Sequence, residues 1–286
     1  IKVMTGQLGE VIALSDEAYE ISASIDNLWG MSYSRYSVGQ AYWLHGDPSQ
    51  AIEMMQTCVR YGEQAGFVVA RAWAEPGLAL VYGELGQAQS GLRMLQDTTR
   101  YVREVFPQYL TWVLVISAYL NVLLGDTTAA QALVDEINSS ESAMVEFFMR
   151  PYLLITQALL ALSARDYDRV AMDVPRAVAW MHEFEIRVYD PHLQVILAQA
   201  QLASGAVDAA ADTLAAAYEA ALDMNTHWYL WQIRSAQAEA AAAQSDAESA
   251  RKLRTQAREI VAAIAEHTPE EFRATFLARP GVQALG

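Results

Sequence analysis

The stretch GQAYWLHGDPSQA, Gly39 to Ala51, sets Gly39, Tyr42, Gly46 and Ala51 at fixed distances inside an otherwise helical composition. Anchored on Gly46, with a small or apolar residue five positions later, the pattern recurs. The pairs are Gly86 and Gly91, Gly125 and Ala130, Arg165 and Val170, Gly205 and Ala210, Ser245 and Ala250, and one step earlier Gly6 and Val11. The anchors 6, 46, 86, 125, 165, 205 and 245 are separated by 40, 40, 39, 40, 40 and 40 residues. A constant step over seven anchors marks an internal repeat, which decides fold class before any single motif does.

Each anchor follows an apolar run such as PGLALVYGEL or LLITQALLAL and precedes an amphipathic one such as AIEMMQTCV or LAAAYEAAL. Strand signals are nearly absent, so each unit reads as helix A, a tight turn and helix B. Gly46 supplies the positive φ that ends helix A. Asp47 caps helix B with Pro48 in its first turn, and Asp126, Asp166 and Asp246 repeat that cap. Gly39 and Ala51 are small so that A and B pack closely, and Tyr42 fills the space between units. The expected fold is all-α, a right-handed superhelical solenoid of about seven helix–turn–helix repeats over residues 1–268, the first truncated. His267, Thr268, Pro269 and Glu270 signal a break and a new helix start. Phe272, Phe276 and Leu277 then form a capping helix within a terminal segment, 269–286, stopped before Pro280 and Gly281.

The Gly39, Tyr42, Gly46 and Ala51 constellation resembles the core of the tetratricopeptide (TPR) repeat. The second unit keeps Tyr82, Gly86 and Gly91 with Ala79 in the first small position; later units keep Ala118, Ala158, Ala198 and Ala238 and lose the tyrosine. The step of 40 departs from the usual about 34, and HEAT-type repeats, which also run near this length, are the structural alternative. A second, weaker likeness is to the C-terminal repeats of bacterial STAND-type signalling ATPases, some of which carry cyclase domains; the ending AREIVAAIAEHTPEEFRATFLARPGVQALG, 257–286, is similar to the terminal segment of such proteins. That resemblance implies a regulatory module of a larger bacterial protein. Ile1 would fall inside helix A of the first unit, as expected for a piece of a longer chain.

Charge is unevenly distributed. In fourteen-residue windows before the six complete anchors there are five charged residues, Arg35, Glu75, Glu84, Arg234 and Glu239; the matching windows after them hold twenty-four. Helix A is therefore the shielded layer and helix B the solvated one. Six residues before each small A position stand Tyr33, Trp73, Trp112, Tyr152, His192 and Gln232. In TPR solenoids this column faces the concave side, where aromatics serve either packing or ligand contact. The rows should lie about 10 Å apart, too far for the rings to stack on each other. The expected ligand-binding residues are Tyr33, Tyr36, Gln40, Trp43, Trp73, Trp112, Tyr119, Tyr152, His192 and Gln199.

The chain has 286 residues, net charge −15 and one cysteine, Cys58. The average field repels nucleic acid and anionic membranes. No apolar run is long enough to span a bilayer. A lone cysteine suits a reducing cytoplasm. No phosphate-binding glycine loop, H-E-x-x-H or paired cysteine motif occurs, so neither cofactor nor metal is implied. Cys58 falls at a packing position of helix B, and His182, Glu183 and Glu185 read as an inter-repeat loop. Glu75, Glu84 and Glu239 share no face position, so no catalytic residue is nominated. The expected activity is non-catalytic binding of a protein or peptide, or of the parent protein's own effector domain, in the concave groove. A sensor of a small molecule or signalling peptide is the alternative, and a helical-array enzyme a more distant one. Self-association through the truncated first unit is left open.

Overall fold

A computed structural model of the chain describes residues 2–139 and 149–286; Ile1 lies outside them. The described residues are all-α, with no strand among them. Residues 2–6 form turns, followed by α1 Leu8–Ser24, α2 Leu28–His45, α3 Pro48–Ala65, α4 Val69–Tyr82, α5 Ala88–Val105, α6 Leu110–Leu123, α7 Thr127–Ser139 and α8 Arg150–Ser163. Then come α9 Tyr167–Glu183, α10 Asp190–Ala203, α11 Val207–Asp223, α12 His227–Ala243, α13 Ala247–Glu266, α14 Glu270–Leu277 and α15 Pro280–Gln283.

All seven anchors have positive φ: Gly6 83°, Gly46 91°, Gly86 85°, Gly125 77°, Arg165 58°, Gly205 83° and Ser245 66°. At most of them the chain closes with the same six-to-one backbone bond, for instance Asp47 N–H to the Tyr42 carbonyl at 2.9 Å and Asp246 N–H to Ala241 at 2.9 Å. This is the Schellman arrangement, which satisfies carbonyls left free at a helix end. The expected caps form: Asp47, Asp126, Asp166 and Asp246 each accept from a backbone N–H three residues on.

A second periodic turn escaped the sequence reading. Asp26, Gly66, Glu185 and Asn225 also have positive φ. Just beyond them, the N–H groups of Asn27, Phe67, Ile186 and Thr226 make the same six-to-one bond, to Ser22, Gly62, Met181 and Ala221. Only one of the four is glycine, so composition gave little signal. Pro107 falls where the same register would require that N–H, which proline lacks. A short 3₁₀ turn, Pro107–Tyr109, joins α5 to α6 instead.

The even-numbered helices form an inner layer. Each from α2 to α12 packs on its neighbour in the order α2, α4, α6, α8, α10, α12, and α12 returns to α2. The odd-numbered helices α3 to α11 pack outside, each against two even ones, and α1 packs on α2. Close A–B packing needs small residues: a Cβ on Gly91 would sit 2.8 Å from the Ala79 carbonyl oxygen. The core runs through the even helices, where Val113, Val115, Ile116, Ala118 and Leu120 of α6 are fully buried.

The circuit closes at Trp43 and Trp228, whose ring centroids are 3.7 Å apart, beside His45 and His227 at 4.7 Å. Both termini turn inward. The Met4 carbonyl accepts from the N–H groups of Arg187 and Val188, at 2.8 and 3.1 Å. The C-terminal segment does not sit on the end of the helix stack. It crosses to the α4–α5 turn, where the Thr275 hydroxyl donates to the Leu85 carbonyl at 2.8 Å. Phe272 stacks on Tyr82 at 4.8 Å, and Phe276 lies 5.7 Å from Trp228. The helix that carries Phe272, Phe276 and Leu277, α14, ends at Leu277, before Pro280 as expected; Pro280 then opens the short α15, because proline is preorganised for a first helical turn.

Candidate functional site

Of the ten expected site residues, five converge. Tyr33, Tyr36 and Gln40 project from α2, Trp73 from α4 and Trp112 from α6 into one cavity of about 370 Å³. Ser37, one turn beyond Tyr33, completes the α2 wall. Tyr109, in the turn before α6, and Met149, at the start of α8, add two more sides. Val3 and Met4 of the N-terminal segment close it. Among the described residues that line it, none is charged. The volume is within the range of small-ligand sites, about 300–1,000 Å³.

The rings contact one another, contrary to the expected 10 Å separation. Trp73 lies 5.9 Å from Tyr33, 5.7 Å from Tyr36 and 5.7 Å from Tyr109, at interplanar angles of 56°, 30° and 75°. Helix spacing was the wrong measure, because long aromatic side chains lean across the gap between adjacent inner helices. The Trp112 indole N–H donates to the Trp73 carbonyl at 3.4 Å, fixing its ring. Gln40 donates from Nε2 to the Tyr36 hydroxyl at 3.2 Å. Burial pushes the Tyr36 hydroxyl far above its ordinary pKa, with the nearby Tyr189 adding to the effect, so it stays protonated.

The other five lie elsewhere. Trp43 is buried in the α2–α12 seam. Tyr119, Tyr152 and His192 form a buried cluster, with Tyr119 5.7 Å from Tyr152 and 6.4 Å from His192. His192 also stacks on Tyr229 at 5.2 Å. These positions are core because the circuit of inner helices closes, which repeat spacing alone does not reveal. Gln199 is exposed and lines a second cavity of about 250 Å³ with Tyr119 and His192.

That second cavity corrects another expectation. Glu84 and Glu239, which share no repeat position, line it together. Glu84 accepts a hydrogen bond from the Tyr119 hydroxyl and pairs with Arg279 at 2.9 Å. Burial raises the Glu239 carboxyl above its usual range. Burial also lowers His192 to about 4, so its imidazole is neutral at pH 7, with Nδ1 lacking a hydrogen-bond partner. Glu84 is thus committed to holding the C-terminal segment. A wider, more open cleft of about 660 Å³ between α7, α8 and α9 has no aromatic lining among the described residues.

Cys58 is fully buried and its backbone carbonyl accepts from the Ser32 hydroxyl at 2.7 Å. His182 does not form a cluster with its neighbours in sequence; it bonds Asp190 at 2.6 Å. Among the described residues no group of three or more His, Cys, Asp or Glu is placed to hold a metal ion. No described helix is long and apolar enough to cross a membrane.

The pocket residues missed at the sequence level are Val3, Met4, Ser37, Tyr109 and Met149. Ser37 was accessible, four residues from Tyr33 on one helical face. Val3 and Met4 reach the site only because the N-terminal segment folds inward, and no periodicity encodes that. No protein-family model matches the chain, and no curated protein sequence matches it.

Proposed function

We propose that the chain is a non-catalytic sensor module that binds a small molecule, and that it serves as the regulatory region of a larger signalling protein. In this reading the helices are a right-handed superhelix of about seven TPR-like units, closed on itself. The recurrence of both turn types near every fortieth residue supports the repeat description. The observation that carries the function is the convergence of Tyr33, Tyr36, Gln40, Trp73 and Trp112 on one aromatic cavity, uncharged among the described residues. The closed seam between α2 and α12, and the inward termini, favour a small ligand over a long peptide laid along the inner face.

A ligand there touches α2, α4, α6 and the N-terminal segment together. Through the Met4 carbonyl that segment is tied to the α9–α10 connection. Occupancy thereby favours the closed circuit over any opened form, and a domain attached to either end would feel the shift. The test is native mass spectrometry of the intact chain after incubation with an extract of its source cells. A small-molecule adduct present on the wild type and lost from Trp73→Leu is expected; identical spectra with no adduct would refute the pocket.

A second reading, docking of a protein partner, is favoured by a different surface. Ile21, Ile25 and Trp29 are 58, 68 and 49% exposed along the end of α1 and start of α2. An apolar patch of this kind marks interaction surfaces. A partner retained by the wild type and lost with Ile25→Asp/Trp29→Asp would support it.

A further inference from the structure

We infer, building on the aromatic cavity as the ligand site, that its occupant is an organic cation, specifically an alkylated ammonium without N–H groups. The lining opposes an anion: among the described residues it contains no Lys, Arg or His, and the chain carries net charge −15. Both the missing counter-charge and the long-range field oppose a negative ligand.

The lining also disfavours a primary ammonium. Such a group brings three strongly hydrated donors and needs acceptors or a carboxylate when desolvated. Among the described residues the lining offers neither Asp nor Glu. A quaternary ammonium has no donors to satisfy and is attracted by the negative faces of aromatic rings. Among the described residues, five of the ten lining side chains are aromatic, against one branched aliphatic, Val3, and two thioethers, Met4 and Met149. A neutral apolar ligand would be served as well by Leu and Ile. The planes of Tyr33, Tyr36 and Tyr109 stand at three different angles to Trp73, so the space is walled from several directions.

Elsewhere the protein supplies its own cations to its rings. Arg35 lies over Tyr19 at 4.2 Å, Arg71 over Tyr101 at 4.8 Å and Arg234 over Tyr218 at 3.6 Å. Among the described residues no arginine or lysine is recorded over a ring of the cavity. Among the described residues, the rings that line this ligand-sized space are thus left without a cation from the protein itself.

The experiment is a tryptophan-fluorescence titration of the intact chain with choline and with 3,3-dimethylbutan-1-ol, in which carbon replaces the charged nitrogen. N-phenyl-1-naphthylamine serves as a neutral reporter of the cavity. Choline should give a saturable change and displace the reporter, at least about tenfold more tightly than its neutral isostere. Trp73→Leu should abolish that preference while retaining apolar volume. Tyr33→Leu, at a half-exposed position, should weaken it and covers the case in which the tryptophan variant does not fold. Equal affinity for choline and its isostere overturns the cation assignment and leaves the pocket standing. Reporter binding that depends on Trp73 but ignores choline does the same. No binding of any of the three overturns the cation and the pocket together.

Discussion

Arg279 holds Glu84 across 195 residues of sequence, with Nη1 2.9 Å from the Glu84 carboxylate and 2.6 Å from its backbone carbonyl. The same carboxylate accepts the Tyr119 hydroxyl, so one buried charge ties α15, α6 and the α4–α5 turn together. Removing the arginine would strand that carboxylate in a shielded site. Arg279→Met should cost about 3 kcal/mol in urea unfolding, since breaking one side of a buried pair leaves an uncompensated charge. Adding Glu84→Gln should recover part of the loss. A double variant no better than the single would mean the pair is not coupled as the geometry requires.

Gly86 and Gly125 separate two costs of adding a methyl group. Both have positive φ, 85° and 77°, so alanine at either pays the left-handed backbone cost of about 1–2 kcal/mol. At Gly125 the new Cβ would meet nothing within 4 Å; at Gly86 it would lie 2.5 Å from the Thr275 carbonyl oxygen. Gly86→Ala should therefore lose at least about 1 kcal/mol more than Gly125→Ala. It should also expose the C-terminal segment to proteolysis. Equal thermal shifts for the two would show that the segment yields freely.

The contrast explains what could be read from the chain without coordinates. Gly46, Asp47 and Pro48 act within a few residues of one another, so their turn and cap are local properties and were legible. The A–B pairing followed from small residues at a fixed offset. Closure was not legible. It depends on Trp43 meeting Trp228 and on Thr275 meeting Leu85, pairs with no sequence relation to each other. That is also why Trp43, Tyr119, Tyr152 and His192, expected on a binding face, became core. The Tyr33, Trp73 and Trp112 part of the column was found because adjacent repeats carry it.

Trp43 and Tyr33, both expected as ligand contacts, should now behave oppositely. Trp43 is 3% exposed and packs on Trp228, whereas Tyr33 is half-exposed beside Trp29 and Trp73. Trp43→Ala should cost about 3–5 kcal/mol through the cavity it leaves. Tyr33→Ala should cost less than about 1 kcal/mol. Chemical denaturation of the two variants decides; a mild effect at Trp43 would mean the α2–α12 seam is not part of the stable fold.

Cys58 should be inert while the protein is folded. Burial pushes its thiol up to about 11, against a weaker lowering by the Ser32 hydroxyl. The thiolate is the reactive form, so at neutral pH both access and ionisation oppose attack. A disulfide-exchange reagent should react only as fast as the chain unfolds, and promptly in urea. Rapid reaction in buffer would place the thiol at the surface.

His192 gives the pH dependence. Its folded value is lowered from 6.5 to about 4, chiefly by burial, while the unfolded chain titrates normally. Between those values the unfolded state binds more protons than the folded one, so stability rises with pH. The contribution is complete above about pH 6.5 and is lost as the pH falls towards 4, by at most about 3 kcal/mol. Glu239 works in the opposite sense, because its raised carboxyl favours the folded state as acid is added. Carboxylates elsewhere also titrate near pH 4, so the wild type alone cannot isolate the imidazole. The informative quantity is the difference in unfolding midpoint between wild type and His192→Gln, followed from pH 7 to pH 4.5. The variant should lose ground at neutral pH and close the gap as the pH falls. A constant difference over that range would mean that His192 is solvated and titrates alike in both states.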